Sequence, residues 1–494
     1  MNMFDVCTPE KAGVSSADVL KLIKTFDSYG FSTHSIIIAR GNNIFLECYY
    51  APFTKDFKHR MYSVSKSFVS VAVGLCADEG LLSLDDPFMK YFPEYENECT
   101  KENEYLHMQT IRDMLRMETV ATSVNWFTSG TKDRCEVYFK KEGARVPGTT
   151  FEYDSSGSFM LCAIVEKVTG KPFLEYMKEK FLLKIGFSED CYCLGCPGGH
   201  SWGDSGVMCR PRDLLAFARF VANGGTWDGV RYISEEYMRD AVKRQVDNDP
   251  LGYEAYNHYG YGYQIWKTPG DGFAFVGMGD QFAIFDPRTD IIFIINSDNQ
   301  GSTASRAILY DRLFRFFFPS VSDAPLPENP EAQKELSDYI SSRKLVALSG
   351  NTDSALRASV DGKTYILDKN PMNIKWLRFD FDGDKATLTY ENAQGEKVLP
   401  FGLCRNEFSL FPEEGYSDLV GTQGEAGHKY ECAASGAWTE PEKLRLKVQI
   451  IDKYFGNIGM TFGFRGERIG VHMTKNAEAF LSEYEGFAAG KRIK

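Results

Sequence analysis

The sequence predicts an α+β fold: an antiparallel sheet flanked by helices with a helical subdomain, followed by a smaller all-β domain. Three observations predict it. A strand pair around a glycine turn lies near the N-terminus, helical segments fill the middle, and short alternating strands dominate beyond about residue 349. A length of 494 residues also exceeds one ordinary domain, so two are expected.

The first helix is expected from Ser16 to Tyr29, with apolar Val19, Leu20, Leu22 and Ile23 on one side. Residues 34–39 and 43–50 then flank Arg40-Gly41-Asn42, the pattern of a β-hairpin. Ser63 opens an almost wholly apolar stretch, Phe68 to Cys76, that stops at Glu79-Gly80; a helix apolar all round is a buried one. Short helices follow at 110–117, at 158–169 closed by Gly170, and at 212–222 after Pro211 and before Asn223-Gly224-Gly225. Strands are expected at 262–266, 273–276, 281–285 and 291–295, sharing one antiparallel sheet with the first hairpin. This gives a first domain over residues 1–318.

From Phe318 the chain turns Pro-rich (Pro319, Pro325, Pro327, Pro330) and offers one helix at 332–344, so residues 319–348 read as a linker. Residues 349–494 form the second domain, a small barrel or sandwich. Its expected strands are 364–367, 374–381, 386–390, 444–451, 460–464 and 469–473, with turns at Asp382-Gly383 and Arg465-Gly466.

Composition narrows the function. Hydrophobic residues at 43% and charged residues at 25% are the balance of an ordinary globular protein. A formal charge of −12 argues against nucleic acid as a main partner and gives no attraction to an anionic membrane surface. The opening MNMFDVCTPEKAGVSS lacks a basic start followed by an apolar run, and no window is apolar enough to span a membrane. A cytoplasmic protein acting on a small-molecule substrate is expected, with no cofactor; a homo-oligomer is compatible with the sequence. The 12 cysteines then read as reduced thiols. Cys191, Cys193 and Cys196 with His200 have zinc-like spacing, but no second knuckle matches them; they are read as loop cysteines and no metal site is expected.

The chemistry is concentrated in Ser63-Val64-Ser65-Lys66. Ser-x-x-Lys also occurs at Ser129–Lys132 and Ser341–Lys344, but only Ser63 begins a buried helix. Residues three apart on a helix share a face, so Lys66 is expected beside the Ser63 hydroxyl. Apolar enclosure favours a neutral amine, which can take the hydroxyl proton, and a helix N-terminus offers N–H groups to a developing oxyanion. A helix cap with a neighbouring surface lysine is the plainer alternative for the tetrad alone. A second element, Pro147-Gly148-Thr149-Thr150-Phe151-Glu152-Tyr153-Asp154-Ser155, places Tyr153 on a tight loop before a helix, where its hydroxyl can enter a cleft. A third is the strand at 273–277 followed by Met278-Gly279-Asp280-Gln281; a glycine there lets backbone approach a ligand and offer N–H groups. Lys267-Thr268-Pro269-Gly270 reads as a hairpin turn, because proline cannot pair inside a central strand.

Taken in this order, the elements resemble the serine β-lactamase and penicillin-binding-protein superfamily over about residues 10–318. The pattern is most similar to the class C-like branch with its esterases and 6-aminohexanoate-oligomer hydrolases. Further matching phrases are Gly80-Leu81-Leu82-Ser83-Leu84-Asp85-Asp86-Pro87, Thr110-Ile111-Arg112-Asp113-Met114-Leu115 and Pro211-Arg212-Asp213-Leu214. The resemblance implies Ser63 as nucleophile, Lys66 and Tyr153 as proton carriers, and the backbone N–H groups of Ser63 and Met278 as oxyanion hole. It also implies substrate contacts from Ser155, Phe275, Val276 and Gly277. The family's Tyr-x-Asn appears here as Tyr153-Asp154-Ser155, and its Lys-Thr-Gly as Phe275-Val276-Gly277. Loss of that lysine removes the cation that would hold a penicillin carboxylate. A serine hydrolase of carboxylic esters or small amides is therefore expected. The alternatives are a D-amino-acid-directed peptidase or penicillin-recognising enzyme, and a non-catalytic binding or sensor protein on the same fold.

Overall fold

In the first unit, residues 33–40 are so rich in β-branched and buried side chains that the strand Thr33–Arg40 is covered on both faces. A computed structural model describes residues 4–98, 101–121, 123, 126, 131–140, 143, 145–248, 258–415, 427–478 and 480–493. Those residues divide at Lys344/Leu345 into two units.

The first unit is built on a seven-stranded sheet in the order Asp5–Val6, Asn43–Tyr49, Thr33–Arg40, Ile291–Ser297, Gln281–Asp286, Phe273–Gly277, Trp266–Lys267. The N-terminal hairpin and the late strands do share this sheet, joined antiparallel where Ile292 faces Ala39 and Ile294 faces Ile37. Side chains alternate between the faces. Ile36, Ile38, Phe293 and Ile295 pack with Val19, Ile23 and Phe26 of the helix Ser16–Ser28. On the opposite face Phe275 meets Phe217 of the helix Pro211–Ala222 at 5.3 Å, and Phe217 stacks on Phe68 at 3.7 Å. Phe68 belongs to the helix Ser65–Asp78, buried from Ser65 to Cys76 as its uniformly apolar sequence requires. This stack of rings carries the position of the sheet through to the helix that follows Ser63.

Two expectations change on folding. The segment expected as a strand at 262–266 is irregular before Trp266, because Gln264 takes a positive φ of 58°. Its side chain turns inward, donating to the Met114 and Leu115 carbonyls at 2.9 and 3.1 Å and accepting from Ser158 Oγ at 2.6 Å. These bonds tie two helices, Ile111–Leu115 and Ser155–Thr169, together and outcompete the strand ladder. The helix expected in the linker, found at Pro330–Ser341, packs on the first unit: Leu336 joins its core, and the Tyr339 hydroxyl donates to Asp27 at 2.7 Å.

The second unit is a ten-stranded sheet running in sequence from Thr364–Leu367 to Gly486–Arg492, and it closes into an all-β barrel. Closure is made where Gly402 and Leu403 pair with Ser435 and Gly436. Inside lies a polar cluster. Glu413 accepts from Lys397 at 2.8 Å, from the Tyr484 hydroxyl at 3.0 Å and from Asn392. Removing one partner of a buried pair strands the other charge, at a cost of about 3–5 kcal/mol. Lys397→Met is therefore expected to lower the melting temperature of the second unit, as a transition moving earlier in differential scanning calorimetry. Among the described residues no helix is long and apolar enough to cross a membrane.

Candidate active site

Ser63 lies in the 3-10 turn Tyr62–Val64 that runs directly into the helix Ser65–Asp78. Tyr62, just before it, holds a positive φ of 47°, a costly conformation for a bulky residue. The surroundings enforce it. The Arg60 guanidinium lies between the rings of Tyr62 and Trp202, at 4.1 Å from each, and donates to the Ser205 carbonyl at 3.0 Å. This bend turns the Ser63 side chain out of the helix, leaving it half-buried while its neighbours are covered.

Lys66, one helical turn on, is 1% exposed. Its Nζ donates to Ser63 Oγ at 3.0 Å and to the Asp204 carbonyl at 2.8 Å. The i, i+3 spacing read from the tetrad thus gives a direct contact. The other serine-lysine pairs do not share this setting: Ser341 and Lys344 close the helix Pro330–Ser341 at the surface, and Ser129 falls outside the described residues. Tyr153 comes from the loop ahead of the helix Ser155–Thr169, and the Lys66 Nζ is 5.1 Å from its ring centroid. Trp266 stacks on that ring at 5.7 Å.

The Tyr153 loop is held by Asp154, which caps the helix by accepting from the Ser156 N–H at 2.9 Å. Asp154 also accepts from Thr119 Oγ1 at 2.8 Å and Ser123 Oγ at 3.1 Å. Ser155, at the first helical position, is half-buried, and its N–H donates to Ser123 Oγ at 2.6 Å.

Gly277 closes the opposite wall. A Cβ there would meet the Met61 carbonyl at 2.5 Å, so the strand Phe273–Gly277 can reach the Ser63 turn only through a glycine. The following turn, with Met278 half-exposed, is braced: Ser297 Oγ donates to the Gly279 carbonyl at 2.7 Å, and Asn299 donates to Asp280 at 3.1 Å. Among the described residues no backbone acceptor takes the Ser63 or Met278 N–H. Gly277→Val is expected to push this strand off the turn and to destabilise the first unit by about 1–3 kcal/mol, the usual cost of overpacking, read as an earlier transition in differential scanning calorimetry.

Two predicted substrate contacts come out differently. The Phe275 ring is fully buried against Phe217 and Phe273, and Val276 packs into the core on the other face. A strand covered on both faces has no side chain to spare, so its contribution at the cleft is the backbone near Gly277. The cysteine group is likewise structural. Cys191 donates to Asp213 at 3.0 Å, Cys193 lies on the short strand Tyr192–Cys193, and Cys196 donates to the His200 carbonyl at 3.3 Å. Burial pushes the Cys196 thiol up to about 12.

Sequence reasoning missed the segment 202–207, which runs along the Ser63 turn. The Val207 carbonyl accepts from the Met61 N–H at 2.8 Å, the Val207 N–H donates to Ser65 Oγ at 3.0 Å, and the Asp204 carbonyl holds Lys66. Its glycines were the available signal: a Cβ on Gly203 would meet Cys162 at 2.4 Å and Val69 at 3.0 Å, so only glycine fits between the two helices. Behind it, Arg134 makes a two-bond ion pair with the Asp204 carboxylate at 2.6 and 3.0 Å, both side chains buried. Burial opposes the guanidinium charge, Asp204 outweighs burial, and the Arg134 pKa is raised above its ordinary value.

A family model described as Beta-lactamase matches residues 19–315. The chain belongs to the beta-lactamase family. It is 26% identical over 280 residues to the 6-aminohexanoate-dimer hydrolase of Paenarthrobacter ureafaciens, covering 53% of this chain and 71% of that protein. Among solved structures it is similar to a penicillin-binding protein homolog from Caulobacter crescentus, with a TM-score of 0.50, 14% identity and coverage of 63% and 98% of the two chains. It is also similar to EstCE1, a hydrolase with promiscuous acyltransferase activity, with a TM-score of 0.50, 14% identity and coverage of 60% and 98%. These structures speak to the fold. The beta-lactamase fold expected from the motifs is thus present, and its curated relatives include a hydrolase.

Proposed function

We propose that this beta-lactamase-family chain is a serine hydrolase that cleaves a carboxylic ester or small amide through an acyl-enzyme. One observation carries the reading: the buried Lys66 amine donates to the Ser63 hydroxyl at 3.0 Å, beside the Tyr153 ring. In the proposed cycle the proton of Ser63 Oγ passes to Lys66 or Tyr153 as Oγ bonds to the substrate carbonyl carbon. Charge on the carbonyl oxygen is met by the Ser63 and Met278 N–H groups. The C–O or C–N bond then breaks, the leaving group takes the proton, and water attacks the acyl-Ser63 ester by the same route in reverse.

The substrate class follows from what flanks the site. The strand that resembles Lys-Thr-Gly carries Phe275 in place of the lysine, and that side chain is buried in the core, so this strand offers no cation to a substrate carboxylate. Ser155 offers a hydroxyl where the family's asparagine amide contacts a substrate amide. Both features favour substrates without a carboxylate at that position, and the similar 6-aminohexanoate-dimer hydrolase fits a small substrate. The test is a hydrolysis panel of short- and long-chain esters, aminoacyl amides and a chromogenic cephalosporin. Ester or amide turnover with little cephalosporin cleavage is expected; the reverse order would favour a penicillin-recognising enzyme, and no turnover would favour a silent binding protein.

A further inference from the structure

We infer that Arg134 is a positioning residue for the proton-accepting group: through Asp204 it fixes Lys66 and neutralises the carboxylate that would otherwise bias the site toward its protonated form. The inference rests on the hydrolase reading above. Lys66 has two polar anchors among the described contacts, the Ser63 hydroxyl that is to react and the Asp204 carbonyl. The second sets where the amine stands. Asp204 is in turn held by the fork of Arg134 at 2.6 and 3.0 Å, a geometry only a guanidinium supplies. Arg134 itself is clamped between rings, 4.2 Å from that of Phe159 and 4.5 Å from that of Trp126. It belongs to the helix Arg134–Phe139, which contributes no group to the Ser63–Lys66–Tyr153 cluster.

The charged and titratable groups on the elements around Lys66 can be named. Arg60 lies on the approach to Ser63, bound to Ser205. The helix Ser155–Thr169 brings its cap Asp154, neutral Cys162, whose thiol pKa is raised well above normal, and Glu166, which is paired with His200 at 2.8 Å. Tyr153 faces the amine, and Tyr237 meets the helix Ser65–Asp78 farther along, donating to the Ser70 carbonyl. Of the acids, Asp204 is the one whose own backbone touches the amine, and Arg134 is its ion-pair partner.

The sign follows from charge. Arg134→Met leaves an uncompensated carboxylate near the base, which favours the protonated base, so the acidic limb of the kcat/KM profile moves to higher pH. Asp204→Asn keeps the backbone carbonyl but leaves the guanidinium unbalanced, so the limb moves to lower pH. The direction is the same whether Lys66 or Tyr153 takes the proton, since a negative neighbour favours the protonated form of either.

The experiment measures pH profiles of kcat/KM on the preferred ester for wild type, Arg134→Met, Asp204→Asn and Arg134→Lys, with circular dichroism and a fluorophosphonate label on Ser63 as checks. Shifts of about one pH unit in opposite directions for Arg134→Met and Asp204→Asn are expected, with Arg134→Lys, which keeps the charge but loses the fork, shifted in the direction of Arg134→Met by a smaller amount. Shifts in the same direction, no shift in labelled folded variants, or loss of fold in all three variants would overturn the inference and leave the pair a folding element. A wild type without Ser63-dependent turnover would instead sink the hydrolase reading, and this inference with it.

Discussion

Ser63→Ala is expected to lower kcat/KM on any hydrolysed ester by about 10⁴–10⁶-fold, the loss seen when a serine nucleophile is removed from an otherwise intact site. The residue is half-buried, and among the described residues its hydroxyl makes one hydrogen bond, accepting from Lys66 at 3.0 Å. Its removal costs stability of the order of one hydrogen bond, about 1 kcal/mol. A large kinetic loss with a nearly unchanged melting temperature is therefore the pattern to look for. The turn itself would persist, because the strained Tyr62 is held by Arg60 and Trp202 rather than by Ser63. Steady-state kinetics with a thermal melt on the same preparation check both halves.

Lys66→Met is the second large effect, with kcat expected to fall by about 10²–10⁴-fold, the usual contribution of a positioned acid–base group. Methionine fills the same channel without a charge. A buried polar side chain among apolar neighbours costs desolvation that the Asp204 carbonyl and Ser63 hydroxyl only partly offset. The melting temperature is expected to hold or rise as activity falls, the trade-off of a residue kept for chemistry rather than for folding. A drop in both together would point to a structural role for the lysine.

The parts of the site that could be read in the sequence are those encoded locally. Ser63 and Lys66 are three residues apart on one buried helix, and the apolar run from Phe68 to Cys76 announces that helix without any tertiary information. Tyr153 was legible from a Gly turn and a helix start, and Asp154 proved to be the cap. Arg134, Asp204 and Gln264 were not legible, because their partners lie 70 to 150 residues away and nothing periodic marks them. Alternation revealed most barrel strands, but Gly395–Leu403 carries Pro400 and Lys429–Glu440 is rich in small residues, so the two strands that close the barrel gave no strand-like pattern. Phe275 shows the converse error. Taking its side chain as a substrate contact ignored that a strand covered on both faces buries each side chain in turn.

The most direct measurement is the mass of the protein after a brief reaction with a fluorophosphonate, followed by peptide mapping of the adduct. A single covalent adduct on Ser63, slowed severalfold or more in Lys66→Met and absent in Ser63→Ala, is the expected result. An adduct on Ser65 or Ser155, or wild-type protein that stays unlabelled while folded, would contradict the proposal of Ser63 as nucleophile with Lys66 as a proton carrier beside it.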